Sequence, residues 1–578
     1  MPGSFTFVLH THLPYVLHHG KWPFGSDWLS EAVAECYIPL LGELDRLHER
    51  GIRARISMDF SPILLEQLAD PEFPDVYTEY CNERIRLAES DILLFKQSKE
   101  KQYIPLAEFW IEHYELSLRT FKSWYGGDLI EAFRRHIRSG TLDAMTCGAT
   151  HGYLPLLLSD SNVRAQVRIA SDTHEKHFGT RPRGIWLPEC AYRPRYAWKP
   201  PTDTPGLARF ETERAGIEEI LAEQQLEYFV VEGALTKGGV PMPTYPEFST
   251  TIHERFEHDS EARAFKLKQK ELKSRSLSEM YAVKSTHRKL AGKSPIVFSR
   301  DRKTSEQVWS GDIGYPGDPN YLEFHKKHHN SGLRYWRVTD SKIDLADKLL
   351  YSPASVDERL HSHADHFVGL VKQTLDQHRK EHYTDGVVCS PFDTELFGHW
   401  WFEGPRFIGQ VIELLENDPD IHLTNCADAL DERTRPYETI ALPEGSWGEG
   451  GGHYVWMNSD VKWTWDEIYR LEAAFLDALR EYGYLDAPGK FLTKTMKQAA
   501  RELLLLEASD WQFLITTASA TEYSKKRFEK HAKRLGKLLQ LVRRLLGGEE
   551  PSKKDKAYLK KVALDDRPFA EIDLAAWK

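Results

Sequence analysis

The chain is predicted to fold as an α/β barrel with an inserted segment and a helical C-terminal region. Three observations predict it: eight short apolar, β-branched runs before residue 425, helical patterns between them, and the loss of strand patterns after about Arg435. The runs are 5–9, 55–58, 142–146, 184–187, 228–231, 296–298, 386–389 and 421–424. Continuous apolar runs of this length, as opposed to alternating ones, mark strands buried on both faces by covering helices. Leu40, Leu41, Leu44 and Leu47 show the helical spacing expected ahead of the second run. Strand, loop, helix and strand in series close as a barrel. Eight runs do not fix the strand number, because one of them can be an edge or insertion strand.

A length of 578 residues calls for two to four structural units. The expected division places the barrel in 1–195 and 294–435, an inserted small domain in 196–293 and helices in 436–578. The insertion begins with Pro-rich loops and continues with Lys266, Lys268, Lys270, Lys273, Arg275, Arg288 and Lys289, which read as a solvated helix or loop. In the last region Phe528, Leu535, Leu538, Val542 and Leu545 share one helical face, for packing within a bundle or against another subunit.

Net charge is −11, so the basic footprint of a nucleic-acid binder is missing. Aromatic residues make up 12% of the chain, and sugar rings are held by stacking their C–H faces on such rings. The chain opens on Met1-Pro2-Gly3-Ser4 and enters a strand pattern without a secretory leader, and no stretch is long and apolar enough to cross a bilayer. Cys36, Cys81, Cys147, Cys190, Cys389 and Cys426 are scattered, as reduced cytoplasmic thiols are.

In a barrel, chemistry collects at the C-terminal ends of the strands. Glu189 follows the fourth run in Trp186-Leu187-Pro188-Glu189-Cys190-Ala191-Tyr192, and Asp393 follows the seventh in Ser390-Pro391-Phe392-Asp393-Thr394-Glu395. Two carboxylates at strand ends, each among aromatic rings, are what glycosidic bond cleavage needs. Packing by Phe392, Phe397 and Trp400 is expected to raise the Asp393 pKa, as suits an acid. Spacing alone does not say which carboxylate is the nucleophile. His10 and His12 end the first strand on one face, as substrate hydrogen-bonding groups or as metal ligands. A zinc site wants a third ligand in recognisable spacing and none is present, which favours substrate. The loop Trp447-Gly448-Glu449-Gly450-Gly451-Gly452-His453-Tyr454-Val455-Trp456 lacks the Lys-Ser/Thr of a phosphate loop and suits either a sugar-stacking lip or a loop packed between domains. Asp510, after an apolar helix, can cap the next helix or reach the site.

These five motifs, in order from His10 to about His531, resemble glycoside hydrolase family 57 and, within it, the α-glucan branching enzymes. The resemblance implies a distorted (β/α)7 barrel, an inserted small domain and a C-terminal helical domain closing the cleft. By the same resemblance Glu189 is the nucleophile and Asp393 the acid/base, while His10, His12 and His151 bind sugar. Trp22 and Trp28 lie near the cleft, Trp336, Trp447 and Trp456 are aromatic platforms, and Asp510 matches the last motif. It further implies a retaining transfer of α-1,4-glucan chains to 6-hydroxyls in a monomer or small homo-oligomer, with no metal and no organic cofactor. The chain departs from the family after the fifth strand, reading Val231-Glu232-Gly233-Ala234-Leu235 where an Asp-Thr-His-Gly-like stretch is usual. Tyr245 is the candidate gating tyrosine of the following loop. The competing expectations are an α-amylase or 4-α-glucanotransferase on the same fold, a metal-dependent deacetylase-like barrel using His10 and His12, and a non-catalytic glycogen-binding protein.

Overall fold

The computed structural model describes residues 3–237, 275–285, 290 and 292–578, so Tyr245 and most of the lysine-rich run lie outside the described residues. Seven parallel strands make a closed ring: β1 (Gly3–Thr11), β2 (Ile56–Phe60), β3 (Leu142–Met145), β4 (Gly184–Ile185), β5 (Tyr228–Val231), β6 (Ile296–Ser299) and β7 (Val387–Asp393). Regular ladders join β7, β1, β2 and β3 on one side and β4, β5 and β6 on the other. Two single bridges, Thr146 to Ile185 and Arg300 to Cys389, close the ring. Phe5, Phe7, Val8, Leu9, Ile56, Met58 and Val230 are almost wholly buried, as their continuous apolar runs require.

The eighth run is not a ring strand. Ile421–Leu423 pairs with residues 3–5 of β1, on the edge that β2 occupies only from Val8 onward. β1 has nine residues and β2 five, so the lower half of that edge would otherwise leave backbone groups unpaired. A similar wedge sits beside β6, where Tyr281–Val283 runs antiparallel to its first half and carries Glu438–Ile440 outside it. These wedges distort the barrel.

The stretch 196–293 is not wholly an insertion: β5 lies inside it and pairs with both β4 and β6. Outside the ring it contributes the antiparallel hairpin of Tyr196–Trp198 and Thr212–Arg214. Beyond the ring five helices follow, Lys462–Tyr482, Lys490–Leu506, Asp510–Thr516, Thr521–Leu546 and Lys553–Asp565. Phe528, Leu535, Leu538 and Val542 bury fully against Leu471, Phe475, Met496 and Leu503, so the heptad-like face packs within the chain, each side chain contributing about 1.5–3 kcal/mol. The same core includes Trp186 and Tyr228 of the barrel, and this continuity sets the helices firmly on the strand ends. Among the described residues no helix is long and apolar enough to cross a membrane.

Candidate active site

Each of the seven ring strands ends in, or leads by a short turn to, a polar group at one mouth of the barrel. β1 supplies His10, β2 Asp59, the turn after β3 His151, the turn after β4 Glu189, β5 Glu232, β6 Arg300 and β7 Asp393. The register of β1 and β7 sets His10 directly opposite Asp393.

Glu189 sits in a tight turn, Pro188–Cys190, with its backbone left-handed at φ 62°. A non-glycine residue held there costs roughly 1–3 kcal/mol, and the surroundings must over-determine it. They do: Cys190 N–H donates to Leu187 O at 2.8 Å, and Tyr192 exchanges backbone hydrogen bonds with Gly445 at 2.8 and 3.0 Å. Trp447 N–H donates to Glu189 O at 3.2 Å, and the Trp447 indole N–H donates to Glu189 Oε2 at 2.7 Å. Gly450 and Gly451, both left-handed, let the loop fold back so that Ser446 N–H reaches Gly451 O at 3.0 Å and Trp447 points inward.

A hydrogen-bonded chain runs beside Glu189. Asp59 Oδ1 lies 2.7 Å from His10 Nδ1, His10 Nε2 lies 3.0 Å from His151 Nε2, and His151 Nδ1 lies 2.8 Å from Ser509 Oγ. His151 Nδ1 is also 3.9 Å from Glu189 Oε1. Two imidazoles meeting through their Nε2 atoms share one proton between them, so they cannot both be charged. Burial agrees, pushing His10 down to about 3 and His151 well below the usual imidazole range. His10 stacks on Trp186 at 4.9 Å and His12 on His151 at 4.1 Å. His12 reaches Ser61 Oγ at 2.8 Å and Asp510 Oδ1 at 3.1 Å. The C-terminal helices thus enter the site through Ser509 and Asp510.

Burial raises Asp393 to about 6, with His10 and the Arg300 guanidinium partly opposing the rise and Asp59 adding to it. The fully buried Phe392 and nearly buried Phe397 pack edge to face at 5.4 Å beside it. Cys190 shows that the two carboxyl groups share one neighbourhood: burial first, then Arg300, Glu232, Glu189 and Asp393 act on its thiol, which is held well above the usual range. A pair of carboxyls at the mouth of an α/β barrel, one gripped by an indole N–H and one raised to about 6 so that its protonated form is within reach near neutrality, can cleave a glycosidic bond by double displacement.

The family description "Glycosyl hydrolase family 57" matches residues 6–443. The chain belongs to glycoside hydrolase family 57. A second description, "1,4-alpha-glucan branching enzyme, C-terminal", matches residues 467–577. A 1,4-alpha-glucan branching enzyme of Thermococcus kodakarensis is 39% identical over 99% of this chain and 78% of its own length. The crystal structure of a family 57 branching enzyme from Pyrococcus horikoshii superposes with a TM-score of 0.85 at 39% identity, covering 100% of this chain and 97% of that one. An α-amylase from Thermotoga maritima superposes at 0.77 with 28% identity, covering 100% and 99%.

Not every tryptophan of this family 57 chain is where a platform would be. Trp447 and Trp456 are 1% and 0% exposed, so neither offers a face to sugar. Trp447 instead holds Glu189, and Trp456 stacks on Tyr153 at 4.7 Å, as a loop packed between the barrel and the helices. Trp336 lies beside Tyr103 and Tyr335 with the Lys326 ammonium 4.3 Å over its ring. Trp28 packs half-buried near Phe24, whose ring lies 5.5 Å from Tyr523 of the C-terminal helices, and Trp22 is 76% exposed.

The site also holds groups that the motifs did not single out. Asp59 anchors His10, Ser509 anchors His151, and Glu232 pairs with Arg300 at 3.2 Å, fully buried. Burial raises Glu232 above the usual carboxylate range against the pull of Arg300. Asp59 and Glu232 each follow a strand run directly, and that position was the available signal. The missing third metal ligand is supplied in space: His12, His151 and Asp510 offer atoms within 4.8 Å of one another, as do His10, Cys147 and His151. Their nitrogens are already engaged as described above, so an ion would have to displace those hydrogen bonds.

Proposed function

We propose that this chain is a 1,4-α-glucan branching enzyme working through Glu189 and Asp393. Glu189 attacks C1 of an α-1,4-linked glucose while Asp393, in the protonated form that its rise to about 6 keeps available, gives its proton to the departing 4-oxygen. The glucan is then held as an ester on Glu189. Asp393, now a carboxylate, removes the proton from a 6-hydroxyl of a second glucan, whose oxygen takes C1 and releases Glu189. Two inversions give an α-1,6 link.

The observation that carries this reading over simple hydrolysis is the join between barrel and helices. The helical region, similar to the C-terminal part of branching enzymes, puts Ser509 on His151 and Asp510 on His12, within the wall of the site. Water and glucan compete for the same ester, so branching depends on which of them the walls admit. All six cysteines are free and buried, which supports a reducing compartment such as the cytoplasm.

Amylose treated with the enzyme and then debranched with isoamylase tests the proposal. The expected product releases short chains on debranching while few new reducing ends appear during the reaction. Rising reducing sugar without α-1,6 points would assign the chain to hydrolysis.

A further inference from the structure

An open groove of about 680 Å³ lies on the C-terminal helices, between the start of Lys462–Tyr482, the middle of Thr521–Leu546 and the loop at Thr204. Trp463 is its aromatic wall. It is 36% exposed, whereas Trp447, Trp456, Trp465 and Trp511 are 1% or less. The ring is nonetheless fixed: its N–H donates to Asp460 O at 3.1 Å, and it stands edge-on to buried Phe528 at 5.2 Å and 82°. Opposite, Thr204 Oγ donates to Asp466 at 2.6 Å and ties the loop down.

A rigid indole with an accessible face, ringed by hydroxyl-binding groups, matches a pyranose, which has apolar C–H faces and a polar rim. Four acidic side chains (Asp203, Asp466, Glu467 and Glu529) face three basic ones (Lys462, Arg470 and Lys533), so the mixed rim favours neither a polyanion nor a polycation. A neutral polyhydroxyl chain fits that balance. The groove is also tied to the catalytic wall. Thr464, next to Trp463, accepts a hydrogen bond from Gln512 at 3.0 Å, two residues beyond Asp510.

We propose that this groove is a second carbohydrate site, in which Trp463 stacks a segment of α-1,4-glucan away from the catalytic centre. The proposal rests on the α-glucan reading above. Holding a long polymer at two points raises its effective concentration at the catalytic mouth, an advantage that a short oligosaccharide does not share.

Native gels cast with increasing glycogen test it. Trp463→Ala is expected to weaken glycogen retardation about five- to tenfold, the loss of one stacking contact. Trp463→Phe stays close to wild type, and turnover of maltoheptaose is unchanged in all variants. Lys533→Ala, an exposed rim change that disturbs no packing, weakens retardation in the same direction and decides the matter if Trp463→Ala fails to fold. Retardation of both alanine variants equal to wild type overturns the groove and leaves the catalytic reading standing. Wild-type protein that glycogen does not retard overturns the second site, and absence of any action on amylose overturns the α-glucan reading itself.

Discussion

Replacing Asp393 by Asn removes the acid and, with it, a burden on the fold. Asp393 is raised from 3.8 to about 6, chiefly by burial. A tenfold change in proton affinity is worth about 1.4 kcal/mol, so ionised Asp393 destabilises the folded chain by about 2–3 kcal/mol, the lower figure allowing for its partly exposed side. The sign follows from proton binding. Between about pH 4 and pH 6 the folded state holds more protons than the unfolded one, so stability falls as pH rises, and the full penalty applies above pH 6. Asp393→Asn is therefore expected to be more stable than wild type at pH 7 to 8, by on the order of 2 °C in Tm for a chain of this size, and no more stable near pH 4. Its activity on amylose falls by about 10²- to 10⁴-fold, the usual worth of a general acid. Wild-type kcat/KM should decline as pH rises through about 6, as the acid loses its proton. Thermal melts across pH 4–8 with parallel branching assays read both effects. A variant less stable than wild type by a constant amount at every pH, or one that keeps its turnover, refutes the assignment.

Two further outcomes are expected. Arg300→Met leaves Glu232 as an unpaired buried carboxylate and costs about 3–5 kcal/mol in urea unfolding, most of which the double change with Glu232→Gln restores; equal losses in the single and double variants would show that the pair is not coupled. Dialysis against EDTA should leave branching unchanged, because the nitrogens of His10, His12 and His151 serve the hydrogen-bond chain. Activity lost to the chelator and restored by zinc would instead assign His12, His151 and Asp510 to a metal.

Much of this was legible in the residues because parallel strands announce themselves as continuous apolar runs. Seven of the runs are ring strands, and Glu189 and Asp393 stand at the ends of two of them. The eighth run failed as a ring strand because the edge it fills is set by the unequal lengths of β1 and β2, which no local pattern encodes. The expected insertion of 196–293 is too wide because it was drawn on its charged, Pro-rich composition and so enclosed the strand run 228–231, which pairs as β5 within the ring. Trp447 and Trp456 looked like platforms since a glycine-rich loop has no periodicity to say which side of a ring meets the core. The hydrogen bond from Trp447 to Glu189 spans 258 residues, and Asp59 reaches His10 across 49, distances at which sequence carries no trace of a partner.

The ring is two sheets that meet at two narrow seams, Thr146 with Ile185 and Arg300 with Cys389. Glu189 follows a strand of one sheet and Asp393 ends a strand of the other, so the gap between attacking and proton-giving atoms is the gap between two half-shells. Ladder hydrogen bonds stiffen each half-shell but span the seams only sparsely. Side chains that reach across, His151 toward Glu189 at 3.9 Å and Arg300 toward Asp393, therefore set the working distance of the catalyst. Substitutions at the Thr146–Ile185 seam would tune turnover by changing how tightly the two halves are latched.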